Sequence, residues 1–205
     1  MTEAPAELDG YVSRETHDRL SAYVLLLQKW NPSINLVAKS QTDDLWHRHI
    51  WDSAQIWPHI ADTASHIDLG SGGGLPGLVL AILCKDHALH VQVSLVESDI
   101  RKAVFLRTVT RELGLNVRVH DKRHQFVPPA RATSLTARAL SSLTDLLGAA
   151  ERHLVPEGVA VLPKGQSWRE EVEAARASWT FNLEVIPSIT DHNAALLKIK
   201  EIRRV

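Results

Sequence analysis

The stretch HIDLGSGGGLPG, His66 to Gly77, places five glycines within eight residues, directly after a short apolar run. Glycine weakens helices and strands, so such a cluster marks a point where the backbone turns sharply or approaches something closely. A glycine run alone reads equally well as a surface turn. Its neighbours decide the matter. HIDL reads as a strand leading into the loop, and PGLVLAILC reads as an apolar helix leading out of it.

Downstream the same alternation continues. VQVSLVE is a strand, and DIRKAVFLRTVTRELG is a helix starting at Asp99 and stopped by Gly114. NVRVH is a strand, followed by a polar loop with Pro128 and Pro129. SLTARAL is a strand, Ser142 to His153 a helix, GVAVLPK a strand and SWREEVEAARASW a helix. FNLEVI and AALLKIK then follow as strands with no helix between them. Strands alternating with helices imply right-handed crossovers and an α/β fold, with a mostly parallel sheet and helices on both faces. The last two strands predict a C-terminal antiparallel hairpin on one edge.

Upstream, Leu20, Tyr23, Val24, Leu27 and Trp30 recur at helical spacing, in a helix expected to end before Pro32. A second helix is expected from Thr42 as N-cap, with Asp43 and Asp44 in its first turn and Pro58 closing it. Residues 1–60 thus read as an N-terminal helical cap or extension, and residues 61–205 as the α/β body, the two making one structural domain. Six tryptophans, four of them between Trp30 and Trp57, imply that the cap packs firmly.

The chain has 205 residues, 44% of them hydrophobic and 23% charged, which suits a globular protein needing no metal or disulfide staple. Cys84 is the sole cysteine, which excludes an internal disulfide and fits a reducing cytoplasm. MTEAPAELDG at the N-terminus is acidic and lacks an apolar centre, so it is not read as a signal peptide. No apolar run is long enough for a membrane span, and the expected location is cytoplasmic. With a net charge of -1, a nucleic-acid partner would have to be held by a local basic face. Arg101, Lys102, Arg107 and Arg111 on one expected helix, and Lys198, Lys200, Arg203 and Arg204 near the C-terminus, are the candidates. Both groups also fit ordinary solvated faces, and Glu97, Asp99 and Glu112 dilute the first.

In a parallel α/β sheet, ligands bind beyond the carboxyl ends of the strands, where this glycine loop stands. The dinucleotide fingerprint G-x-G-x-x-G is not met, because the sixth position counted from Gly70 is Leu75. What stands here is Asp68 followed by Gly70, Ser71, Gly72 and Gly74. An acid at the strand end is a poor neighbour for pyrophosphate and suits a ligand carrying an ammonium group, such as S-adenosylmethionine. Glu97 ends the second strand, where a carboxylate accepts hydrogen bonds from ribose hydroxyls; its other reading is a residue complementing the next helix dipole. Taken together, the three features favour an adenosylmethionine-binding sheet.

Six motifs, in order, then resemble those of the bacterial small-subunit (16S) rRNA guanine-N7 methyltransferases, the glucose-inhibited division protein B family. They are KWNPSINLVA (Lys29–Ala38), RHIWDS (Arg48–Ser53), IDLGSGGGLPG (Ile67–Gly77), ESDIRKAVFLR (Glu97–Arg107), ARALSSL (Ala137–Leu143) and PKG (Pro163–Gly165). The resemblance implies a Rossmann-like class I methyltransferase fold and S-adenosyl-L-methionine as cofactor. It also implies that Gly70 and Leu75 contact the cofactor, that Arg123 and His124 frame the adenine, and that Arg138 is a cofactor-side residue. Arg123 and His124 stand where family members often carry a small apolar residue and a glutamate. The implied partner is 16S rRNA or the small ribosomal subunit; the chain itself is expected to act as a monomer without a metal ion.

Methyl transfer to guanine N7, which carries a lone pair and no proton, needs alignment rather than a general base, and alignment contributes roughly 7–11 kcal/mol. Arg48, His49, Asp52, Arg138 and Lys164 are therefore candidates for placing the substrate, not for moving protons. Other readings stay open. Arg48 and Asp52 also fit a surface i,i+4 ion pair, His49 a satisfied partly buried histidine, and Lys164 a rim charge. His47 and His49, two apart on a helix, make a poor metal pair. Cys84 reads as core packing rather than as the nucleophile of a base-carbon methyltransferase, and Val127-Pro128-Pro129-Ala130 lacks the amide and ring of an amino-group methylase motif. Since A-form RNA hides N7 in its deep groove, the target guanine is expected in a loop or unstacked. Methylation of a small molecule or protein, and a non-catalytic RNA-binding module, are the alternative functions. A nicotinamide-dependent oxidoreductase is disfavoured, since neither tyrosine stands in a Tyr-x-x-x-Lys pair.

Overall fold

A computed structural model describes residues 11–38, 42, 44–87 and 91–205. The N-terminal decapeptide and Asp43, both used in the sequence reading, lie outside the described residues. Helix α1 (Arg14–Ile34) starts at Ser13, whose hydroxyl accepts a hydrogen bond from the Thr16 amide at 3.1 Å. Its buried face carries Leu20, Tyr23, Val24, Leu27 and Ile34, and it continues through Pro32. Proline disrupts helix interiors because it removes a donor and crowds the preceding turn. Here only two helical residues follow it, and Asn31 takes over the ending. The Asn31 carbonyl accepts from the Asn35 amide at 3.0 Å, and its side-chain oxygen accepts from Leu36 and Val37 at 2.7 and 2.9 Å.

The expected second helix is instead three short pieces: a π-helical turn (Trp46–Trp51), helix α2 (Asp52–Ala54) and a 3-10 turn (Trp57–His59). The wide turn buries Trp46, His49 and Ile50 while leaving His47 and Arg48 exposed. Pro58 sits inside the 3-10 turn rather than ending a helix, where a missing N–H costs little.

The body runs β1 (Ser65–Leu69), α3 (Gly77–His87), β2 (Gln92–Val96), α4 (Ile100–Glu112), β3 (Val117–His120), β4 (Ala132–Ala137), α5 (Leu143–His153), β5 (Leu154–Lys164), α6 (Trp168–Arg176), β6 (Trp179–Pro187) and β7 (Ala195–Arg204). Among the described residues they form a seven-stranded sheet of order β3-β2-β1-β4-β5-β7-β6. The first five strands in that order pair in parallel, while β7 pairs antiparallel with both β5 and β6. The expected C-terminal hairpin is present, with β6 outermost and β7 returning inside it. Chain order reverses between β1 and β4, so their carboxyl ends open a crevice.

Alternate side chains of β5 show how both faces are covered. Val159 and Val161 join a cluster with α1, α3 and α4, whereas Ala160 and Leu162 join one with α5 and α6. Cys84 lies in the first cluster, and burial pushes its thiol up to about 12, which leaves it a packing residue. Helix α4 is capped by Asp99, which accepts from the Arg101 and Lys102 amides at 2.8 and 3.4 Å. Among the described residues no helix is long and apolar enough to cross a membrane.

Candidate active site

The glycine loop leaves β1 under tight backbone control. Gly70 and Gly72 both adopt left-handed φ, 68° and 55°, a conformation that strains most other residues. The Gly70 and Ser71 amides both donate to the Val96 carbonyl, at 2.9 and 3.0 Å, which sets the loop across the end of β2. A Cβ on Gly72 would find only the Gly70 carbonyl, at 3.8 Å, so the loop presents bare backbone there. Gly77 is different: a Cβ there would lie 2.6 Å from the Asp68 carboxylate and clash with Leu95. Glycine at 77 lets the α3 N-terminus press against Asp68.

Asp68 itself is fully buried beneath the loop and does not line either of the two large clefts described below. One carboxylate oxygen accepts the Thr136 hydroxyl at 2.7 Å and the other the Gly77 amide at 3.3 Å. Burial pushes its carboxyl up to about 6 against those hydrogen bonds and the nearby Arg138 charge. Ser71, Gly74 and Leu75 are likewise buried: the Ser71 hydroxyl donates to the Asp68 carbonyl at 3.1 Å, and the Gly74 amide donates to the Ser71 carbonyl at 2.7 Å.

Glu97 sits just past β2 and clasps the loop. One oxygen accepts the Gly72 amide at 2.8 Å, the other the Asp99 amide at 2.7 Å. Gly70, Gly72 and Glu97 line a first cleft of about 790 Å³ together with Arg123 and His124, at the start of the 3-10 turn after β3. His153, buried in α5, contacts the His124 carbonyl through Nε2 at 3.1 Å and accepts the Ala130 amide on Nδ1 at 3.4 Å.

A second cleft, of about 740 Å³, adjoins the first; Ala139 and Ser141 line both. Arg48, Asp52, Arg138 and Lys164 line it with Asp44, His47 and the β6–β7 loop. The candidates from three distant segments thus converge, but not as their spacing implied. Asp52 pairs with Arg138 at 3.4 Å, while Arg48 faces Asp44 at 3.9 Å. Arg138 lies at the seam of the clefts, on the second cleft's lining, drawn there by Asp52 and by His49, whose Nδ1 stands 3.2 Å from a guanidinium nitrogen. A guanidinium only donates, so Nδ1 accepts and the neutral ring carries its proton on Nε2. Burial, followed by the Arg138 and Arg48 charges, pushes His49 down to about 4. Among the described residues His49 Nε2 has no hydrogen-bond partner.

Lys164 is tied down rather than free. Its ammonium donates to Glu171 at 2.7 Å and to the Ser141 carbonyl at 3.2 Å, and the same Glu171 oxygen accepts the Leu143 amide at 2.9 Å. The pair braces the segment that separates the clefts. Of the basic residues on α4, Arg101 pairs with Asp99 at 3.2 Å and Arg107 with Asp121 at 3.1 Å. Sequence reasoning missed Tyr23, Gln55, Thr136, Glu171 and Thr190, each of which acts on a segment far away along the chain.

The comparisons agree with this architecture. The family model GidB, described as rRNA small subunit methyltransferase G, matches residues 16–197. The Ruegeria sp. (strain TM1040) protein named ribosomal RNA small subunit methyltransferase G is 45% identical over 205 residues, covering 100% of both chains. Its namesake in Rhodospirillum centenum is 50% identical over 192 residues, covering 93% of this chain and 87% of the relative. Among solved structures, a SAM dependent methyltransferase from Aquifex aeolicus superposes with a TM-score of 0.59 at 13% identity, covering 86% of this chain and 97% of that one. A mutant of MtNAS in complex with S-adenosylmethionine does so at 0.58 and 15% identity, covering 96% and 80%. These last two likenesses are of fold. Matched by the family model over most of its length and by full-length relatives, the chain belongs to the rRNA small subunit methyltransferase G (GidB) family.

Proposed function

We propose that the chain transfers the methyl group of S-adenosyl-L-methionine to N7 of a guanine in the 16S rRNA of the small ribosomal subunit. The observation that carries this reading is the pair of clefts meeting at Ala139 and Ser141. One is framed by backbone glycines and a carboxylate, the other by cationic side chains.

The first cleft fits the cofactor. Its volume lies within the usual range for small-molecule sites, Gly72 leaves the loop surface bare, and each Glu97 oxygen keeps a lone pair beyond its backbone bond. Glu97 would take the ribose hydroxyls, Arg123 and His124 would frame the adenine, and Gly70 and Gly72 would border the methionyl part. When bound, the cofactor supplies an electrophilic methyl carbon on a sulfonium. Asp68, Ser71, Gly74 and Leu75 act from beneath, by holding the loop in shape.

The second cleft would place the guanine and its flanking phosphates. Arg48 offers an exposed cation, and Arg138 is oriented by Asp52 and His49. The Lys164–Glu171 pair keeps the dividing segment in place. None of these residues needs to move a proton, because N7 has none to lose. His49, held well below its ordinary range and turned toward Arg138, is suited to orienting a guanidinium rather than to acting as a base. We read the segment up to residue 60 as a cap whose first helix supports the cofactor loop, and the whole as a cytoplasmic monomer acting without a metal ion.

The test is methyl transfer from labelled adenosylmethionine to small subunits lacking their native methylation, followed by digestion to nucleosides. Label in 7-methylguanosine is expected. Label in another nucleoside overturns the N7 assignment. Bound cofactor with no label in rRNA overturns the substrate and points to a small molecule or protein acceptor.

A further inference from the structure

The second cleft is closed on one side by the β6–β7 loop, whose Ser188, Thr190, Asp191 and His192 line it. This loop reaches across to the π-helical turn region through a hydrogen-bonded chain. Thr190 Oγ1 meets one Asp52 oxygen at 2.7 Å, and Gln55 Nε2 meets the same oxygen at 2.8 Å. Gln55 Oε1 accepts the Ile189 amide at 3.0 Å, and Gln55 Nε2 also reaches Ser188 Oγ at 3.3 Å. Ser188 Oγ and Thr190 Oγ1 stand 3.0 Å apart.

Donor and acceptor identities fix the direction of this chain. A carboxylate only accepts, so Thr190 must donate its one hydroxyl proton to Asp52. Ser188 must then donate to Thr190, and is left accepting from Gln55 and from the Thr190 amide, 3.3 Å away. Gln55 Nε2 also lies 3.0 Å from the Asp52 carbonyl, so its two protons are shared among three acceptors and the Ser188 contact is the longest of them. The Thr190 donation to Asp52 does not depend on how they are shared. One Asp52 oxygen is thereby filled from the loop, and the other is left for Arg138 at 3.4 Å. Asp52 and Arg138 are both about four-fifths buried, at 20% and 22% side-chain exposure, so bulk water is a poor substitute for these partners.

We propose that Thr190 is a positioning residue for the acceptor substrate: its hydroxyl locks the Asp52 carboxylate, which aims Arg138 into the second cleft. The β6–β7 loop serves as the latch of that cleft. The assignment rests on the second cleft being the acceptor site, as proposed above, but its geometry is testable apart from any activity.

The experiment compares the wild-type chain with Thr190→Val, which keeps the shape and removes the hydroxyl, and Thr190→Ser, which restores it. Two readouts are taken: steady-state kinetics on undermethylated small subunits, and the Arg138 guanidinium Nε–H resonance of the free protein. Thr190→Val is expected to lose about tenfold or more in kcat/KM for the subunit, in line with the loss of a hydrogen bond to a charged group. Adenosylmethionine affinity by calorimetry should stay within about twofold, and the Arg138 resonance should move. Thr190→Ser should restore both the rate and the resonance. An unmoved Arg138 resonance in Thr190→Val overturns the latch whatever the kinetics, as does a moved resonance with unchanged kcat/KM on an active wild type. A wild type inactive on subunits, with an Arg138 resonance that responds as described, instead overturns the acceptor assignment and leaves the latch standing.

Discussion

The hydroxyl of Tyr23, in the first helix, donates a 2.7 Å hydrogen bond to the carbonyl of Gly73, in the middle of the glycine loop. Tyr23 is fully buried, which raises its phenol above the ordinary range and keeps it a donor. A Cβ on the same glycine would stand 3.3 Å from the Leu36 carbonyl and 3.4 Å from the Leu27 side chain, so the helix and the segment after it pack closely on the loop. The N-terminal helix therefore supports the loop at the carboxyl end of β1. Tyr23→Phe should lower stability by about 1–3 kcal/mol, because a buried carbonyl loses its donor. Adenosylmethionine affinity should fall along with it. Denaturant unfolding and calorimetry read the two effects; a destabilised variant with wild-type cofactor affinity would show that the helix does not support the loop's function.

Glu97 makes a second, more direct prediction. Both its oxygens accept backbone amides, from Gly72 and Asp99. Glu97→Gln must turn its NH2 group toward one of those N–H donors, which breaks the clasp while preserving volume. The adenosylmethionine Kd should rise about tenfold or more, the loss expected of a hydrogen bond to a charged group. Binding of the subunit without cofactor should be unaffected. Equal weakening of both ligands would place Glu97 in general loop stability rather than in the cofactor cleft.

The sequence made the α/β body legible because strands and helices there differ in period and are punctuated by Asp99, Gly114, Ser142 and the proline loop. The region from Thr42 to Pro58 was not, since an apolar run with helical spacing reads the same as a regular helix or as a π-helical turn. At the site, Gly70, Gly72 and Glu97 were visible because loop conformation is written in glycine and strand ends are written in pattern. Asp68 was visible but its burial was not. A carboxylate at a strand end looks the same whether it faces a ligand or, as here, Thr136 and the Gly77 amide. Tyr23, Thr190 and Glu171 lie on faces whose local pattern reads as packing, cap or solvent, and only the tertiary fold brings them to their partners.

Stability should fall on acidification, and the signs can be worked out group by group. His49 and His66 are pushed from 6.5 down to about 4 and about 3, in both cases chiefly by burial. Their unfolded forms bind protons that the folded forms refuse, so their contribution is present above pH 6.5 and is lost as pH falls below it. Asp68 acts in the opposite sense. Raised from 3.8 to about 6, it favours the folded state on the acid side, and that contribution is lost as pH rises through 6. Two histidines outweigh one carboxyl, and the net loss between pH 6.5 and 4 should run at about 1.4 kcal/mol per pH unit per net proton. His66→Gln should make the slope shallower and Asp68→Asn should make it steeper. Denaturant midpoints across that range decide it, and a slope unchanged in both variants would refute these shifts.

Arg48 and Lys164 line the same cleft but should respond differently to salt. The Arg48 side chain is 60% exposed and, among the described residues, has one loose ion-pair partner at 3.9 Å, so it is available to a phosphate. Lys164 is 10% exposed and committed to Glu171 and Ser141. A phosphate contact releases a counterion, so removing it lowers the slope of log K against log salt by about 0.7–0.9. Arg48→Ala should show that change and weaken subunit binding with little effect on unfolding. Lys164→Met should leave the salt slope where it is and lower kcat, because the segment between the clefts loses its brace. The check is binding to small subunits at several salt concentrations. If Lys164→Met also flattens the slope, the lysine leaves Glu171 to meet the RNA backbone, and the Lys164–Glu171 pair is then a resting arrangement rather than a strut.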